Sequence, residues 1–244
     1  MIFPKNIIGP QFDNGDLVTF NFDGAELTLR LPTIPNNKHN ADRVSPLKDF
    51  RNANTQHWDS NDQSLPCLQL SEQRWCFEDG KSLDDIAQCS LYVSLVEASQ
   101  RDCTQNTLLE STSFIELMLA WMDYSFAANE QEIGGVADGD PALGRYRLKS
   151  IAKPHLNWLA ARVRYVPEAT ACPVGIVPIN NRFIVMVSLE MESLHYAGRT
   201  NPYSDELLKQ FEADLFEDFL SHIKIEYSPE TIALIDALNN KTPA

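Results

Sequence analysis

The sequence predicts an α+β fold, an antiparallel sheet with helices packed mainly on one face. Three observations carry this. Phe183, Val185, Val187, Leu189 and Met191 recur at every second position, the period of a strand with one buried face. Leu208, Phe211, Leu215 and Phe219 recur at helical spacing, and Ile223, Ile225 and Tyr227 alternate again directly behind them. Several consecutive strand-like runs are joined by short links, which favours antiparallel neighbours over crossovers.

Taken in order, residues 17–22 and 25–31 both alternate, and Asp23-Gly24 between them suits a two-residue type I′ hairpin turn. Pro32 and Pro35 end the hairpin. Residues 33–66 are rich in Asn, Asp and Pro and read as a long loop. That loop is the one candidate internal boundary in what otherwise reads as a single α+β domain over 1–244. Residues 73–77 suit a short strand, 82–85 the cap of one helical turn, and 88–97 a longer strand. Ser113-Phe114-Ile115-Glu116 has the pattern of a capping box, in which a hydroxyl and a carboxylate satisfy two free amides reciprocally. The helix it opens runs to residue 126, with Trp121 in the core.

Residues 127–144 form a Gly-containing loop. Strands follow at 145–150 and, after a turn at Lys153-Pro154, at 158–166, where Ala161, Val163 and Tyr165 share one face and Arg162 and Arg164 the other. An apolar run at 174–179 meets a turn at Asn180-Asn181. Ser204 is placed to cap the late helix, and Asp205 and Glu206 suit its positive end. Glu206, Asp214 and Glu217 fall opposite the apolar stripe. Glu212 falls inside it, with no reason visible in the sequence. Pro229 closes the last strand.

The late helix followed directly by a short closing strand, together with an opening hairpin that ends in Leu31-Pro32, resembles the PsbP-like family of α+β domains, which includes bacterial DcrB-type proteins. The likeness is one of element order over residues 15–228 and has no diagnostic motif; the 33–66 loop departs from it. The resemblance implies a binding or accessory role more often than catalysis.

Composition narrows the function classes. Lys plus Arg number 20 against 34 for Asp plus Glu, a formal charge of −14. Such a surface does not displace counterions from phosphates, so nucleic acid is not expected, and any protein partner is expected to be basic. No stretch has the length and apolarity of a membrane span, and no secretory signal is recognised at the start. The 5 cysteines are odd in number and contain no C-x-x-C pair. Reduced thiols and a cytoplasmic protein are the expectation.

Chemistry is sparse. The histidines, His39, His57, His155, His195 and His222, include no pair spaced as in H-E-x-x-H. No nucleophile elbow and no glycine-rich phosphate loop is present. Asp138-Gly139-Asp140 lacks the remaining ligands of a calcium loop. Cys172 beside Pro173 has no identifiable base and reads as a buried small residue. No catalytic residue, metal ligand or cofactor is assigned.

Two charge patterns are more informative. Arg145, Arg147, Lys149, Arg162 and Arg164 project from one face of two strands, where like charges disfavour one another unless carboxylates answer them. Glu190 and Glu192 alternate at the right period to do so. The other reading is an anion site formed by Arg145, Arg147, Arg162 and Arg164. In the 129–144 loop, Glu130, Glu132, Asp138 and Asp140 supply four carboxylates with no Lys or Arg among them, and mark the expected partner surface. The expectation is therefore a non-enzymatic protein-binding protein, foremost an immunity-type inhibitor of a basic toxin, next an effector-associated chaperone or adaptor. The competing expectation is an enzyme whose His, Cys and Asp residues converge only in the fold.

Overall fold

The structure, a computed structural model, describes residues 7–33, 41–46, 49, 67–81, 84–98, 108–126, 148–153, 156–163, 171–193 and 203–240. Its strands are β1 (Ile7–Ile8), β2 (Leu17–Phe22), β3 (Ala25–Arg30), β4 (Ala41–Val44), β5 (Cys67–Asp79), β6 (Asp85–Glu97), β7 (Lys149–Lys153), β8 (Leu156–Val163), β9 (Cys172–Pro178), β10 (Phe183–Ser193) and β11 (Ile223–Glu226). Its helices are α1 (Ser111–Phe126), α2 (Asp205–Ser221) and α3 (Pro229–Asn239). The architecture is mixed α+β, and every strand pairing within the sheets is antiparallel.

Among the described residues there are two sheets. The larger has eight strands in the order β1-β5-β6-β10-β9-β8-β7, with β4 also on β5. The smaller has the order β11-β3-β2. The first hairpin turns as its sequence requires. Asp23 and Gly24 have φ of 48° and 86°, the two positive angles of a type I′ turn.

The large sheet has a core on each face. Phe183, Val185, Val187, Leu189 and Met191 of β10 join one cluster with Phe211, Leu215, Phe216 and Phe219 of α2, and with Phe20, Phe22, Leu27 and Leu29 of the small sheet. Phe22 and Phe183 meet there with ring centroids 6.2 Å apart. This places Phe211, Leu215 and Phe219 in the same core as Phe183, Val185 and Val187, as the helical stripe predicts. Ile184, one residue out of phase, belongs to a second cluster with Phe114 and Met118 of α1 and with Ala161, Val163 and Cys172. Neighbouring strand residues point to opposite faces, so α1 and α2 cover opposite faces of β10, where packing mainly on one face was expected.

Other expectations change in detail. The 33–66 stretch read as loop contains β4, which pairs with β5 so that Arg43 stands opposite Glu72. That buried carboxylate is met by Arg74 at 2.7 Å and by Arg43 at 3.7 Å. Asp85, expected in a helical turn, opens β6 instead, and the neighbouring Ile86 and Ala87 are core residues. The capping box is not made. Helix α1 starts two residues earlier, and the Ser113 hydroxyl donates to Glu110 at 2.9 Å rather than capping an amide. Trp121 is partly buried against the α1 core. Strand β7 begins at Lys149, later than expected, and Arg145 and Arg147 lie outside the described residues.

The closing strand β11 does not extend the large sheet. It pairs with β3, putting Ile223 opposite Leu29 and Ile225 opposite Leu27. Pro229 is not a stop but the first residue of α3, capped by Ser228, whose hydroxyl accepts from the Thr231 amide at 3.2 Å. Among the described residues, no helix is long and apolar enough to cross a membrane.

Candidate functional site

Helix α2 lies across β9 and β10 because its apolar residues fall on one side, and its middle turns face the edge formed by β7 and β8. Ser204 starts it as predicted, accepting from the Leu207 amide at 3.3 Å. The buried side of α2 is wider than the sequence stripe: Leu208, Phe211, Glu212, Leu215, Phe216, Phe219 and Leu220 are all buried.

Glu212 is the exception among these, and its partner explains it. Its carboxylate accepts from Arg162 Nη2 of β8, with 4% of the glutamate side chain and 21% of the arginine side chain exposed. The same Nη2 donates to the Ala171 carbonyl. Burial raises the Glu212 carboxyl above the usual carboxylate range, and Arg162 is the foremost of the groups that pull it back. Five residues on, Glu217 receives Lys149 at 3.4 Å and Lys153 at 3.6 Å from β7. The basic residues of β7 and β8 are thus answered by carboxylates of a helix.

This corrects the expected pairing with Glu190. Arg162 shares its strand face with Trp158 and Ala160, which belong to the α2 core. Glu190 shares its face with Ile184, on the α1 side. Burial, then the neighbouring Glu192, raises the Glu190 carboxyl, with Arg74 opposing. Of the proposed anion set only Arg162 lies within the described residues. Arg145, Arg147 and Arg164 lie outside them, and so do the loop carboxylates Glu130, Glu132, Asp138 and Asp140.

Between α2 and β7–β8 is a cavity of about 410 Å³. Ile151, Ala160, Pro173 and Phe216 give it apolar walls, and Lys149, Arg162, Gln210, Asp214 and Glu217 give it polar ones. Asp214 accepts from Gln210 at 2.8 Å. Arg162 spends one nitrogen on its two partners, and its Nε and Nη1 make no hydrogen bond among the described residues.

Nucleophile chemistry finds no support at Cys172. The residue is buried, and its thiol is pushed up to about 12 by burial, with Glu190 and Glu212 adding to the effect. His57 and His155 lie outside the described residues. Among the described residues, no group of three or more His, Cys, Asp or Glu is placed to hold a metal ion.

Glu212 and Glu217 were the site residues that sequence reasoning did not assign. One signal was present for Glu212. A carboxylate inside an apolar helical stripe requires a buried cation, and the arginines of 145–164 were the available ones.

No family model matches the chain, and no curated protein and no solved structure matches it either.

Proposed function

We propose that this chain is a non-enzymatic binding protein that takes a basic protein as its partner. An immunity-type inhibitor of a basic toxin fits best, and an effector-associated chaperone or adaptor next. The observation that carries the reading is the outer side of α2. Glu206 and Asp214 are exposed there, on a chain whose formal charge is −14. Hydrogen bonds from its own backbone amide and from Ser204 hold the Glu206 carboxyl below its usual range, so it stays ionised at neutral pH. An acidic face of this kind steers a basic partner during diffusion and covers its cleft without doing chemistry. The resemblance in element order to PsbP-like domains supports a binding role, and the cysteine pattern supports a cytoplasmic one. Glu130, Glu132, Asp138 and Asp140 extend the acidic surface in this reading.

The test is capture from a lysate of the native host by the immobilised full chain, followed by binding kinetics with the purified partner at low and high salt. The reading expects a basic partner whose association slows as salt rises. It expects Glu206→Lys with Asp214→Lys to slow association further and to flatten the salt dependence. An acidic partner, or association indifferent to both salt and the double substitution, overturns it.

A further inference from the structure

We propose that the cavity between α2 and the β7–β8 edge is a binding site for a small zwitterion with an apolar body, an apolar α-amino acid being the simplest such ligand. The cavity's volume of about 410 Å³ falls in the range of small-molecule sites, about 300 to 1,000 Å³. Its contents specify the ligand's charge. Among the described residues Arg162 is fixed in place by Glu212 and the Ala171 carbonyl through Nη2, which leaves the Nε and Nη1 hydrogens to an incoming acceptor. A guanidinium held in this way has already lost its rotational freedom, so a carboxylate gains its bonds at little further entropic cost.

A simple anion does not fit the rest of the wall. Asp214 lines the same cavity, Glu217 beside it is already answered by Lys149 and Lys153, and a chain of formal charge −14 repels polyanions at long range. A ligand that carries an ammonium beside its carboxylate turns Asp214 from repulsive to attractive. Asp214 already accepts one bond from Gln210 and has acceptor capacity remaining. Ile151, Pro173 and Phe216 offer the third part of the match, an apolar surface for the ligand's side chain.

The experiment is calorimetric titration of the full chain with L-leucine and L-phenylalanine, and with three probes that separate the charges: 4-methylpentanoate, 3-methylbutylamine and inorganic phosphate. Two variants accompany it. Ala213→Trp fills the cavity from a partly exposed helix position, and Asp214→Asn removes one carboxylate at an exposed one. Both leave Arg162 and Glu212 themselves unsubstituted. The expected result is saturable binding of an amino acid, abolished by Ala213→Trp. Asp214→Asn should weaken it about tenfold, the size of one lost charged hydrogen bond. Each single-charge probe should bind at least about tenfold more weakly than leucine for the same reason. The absence of saturable amino-acid binding overturns the proposal, as does binding indifferent to Ala213→Trp. So does phosphate or 4-methylpentanoate binding as tightly as leucine, which would make this an anion site.

Discussion

Gly175 of β9 stands directly beneath Phe216 of α2: a Cβ on the glycine would lie 3.0 Å from the phenylalanine Cζ, 3.4 Å from Trp158 and 3.5 Å from Leu220. The helix approaches the sheet this closely because position 175 has no side chain. Gly175→Val should therefore force α2 outward or Phe216 off its rotamer. The expected loss is about 1 to 3 kcal/mol, the usual range for an overfilled core. Gly175→Ala should cost less, since the smaller strain is partly offset by removing a glycine from a strand. Chemical denaturation of the two variants checks the order, and equal stability of valine variant and wild type would mean that the helix sits farther away.

Phe219 and Phe211 differ in a way that ranks their truncations. Phe219 is fully enclosed and packs on Phe12 with centroids 5.5 Å apart, whereas Phe211 retains 5% exposure. Both substitutions to alanine should fall near the common range of about 3 to 5 kcal/mol, with Phe219→Ala the costlier. Thermal melts give the ranking directly. A Phe211→Ala melt unchanged from wild type would remove α2 from the core assigned to it.

Much of this arrangement was legible in the chain because local chemistry decides it. Asp23-Gly24 allows few turns other than the one observed, and the β10 and α2 periodicities name their own buried faces. What stayed hidden depends on partners far away in sequence. Nothing local tells Ile223 and Ile225 to pair with Leu29 and Leu27 rather than to continue the large sheet. The site was half visible. Arg162 was singled out, but its partner was sought on a neighbouring strand when it lay on a helix 50 residues on. Ser228-Pro229 was a readable helix start, a cap followed by a proline at the first helical position, and alternation in the preceding strand masked it.

Three cysteines, Cys76, Cys89 and Cys172, should be chemically quiet. Burial pushes the Cys172 thiol up to about 12 and Cys76 up to about 11, and raises the wholly buried Cys89 well above its ordinary value. Since the thiolate is the reactive form, iodoacetamide at about pH 8 should leave these three unmodified in the native protein and label them after denaturation. Peptide mass mapping resolves each site. Rapid native labelling of Cys172 would restore it as a candidate nucleophile.

The buried pair Arg162–Glu212 makes two separable predictions. Removing one partner strands the other, so Arg162→Met alone should cost about 3 to 5 kcal/mol, towards the lower end because 21% of the arginine side chain is exposed. Replacing both, as in Arg162→Met with Glu212→Leu, should recover most of that loss, because an apolar pair avoids the desolvation of two charges. The pH dependence follows from the raised Glu212 carboxyl. A carboxyl with a higher pKa folded than unfolded binds its proton more tightly in the native state. Its contribution to stability is thus complete below the unfolded value, about 4.3, and is lost as pH rises through the folded value. Glu212→Gln cannot titrate and lacks this component. The stability of wild type relative to Glu212→Gln should therefore rise as pH falls from neutrality towards the unfolded value of about 4.3, measured by urea denaturation at each pH. A difference that moves the opposite way would mean that Arg162 outweighs burial at this carboxylate, and that the pair stabilises the fold most when both groups are charged.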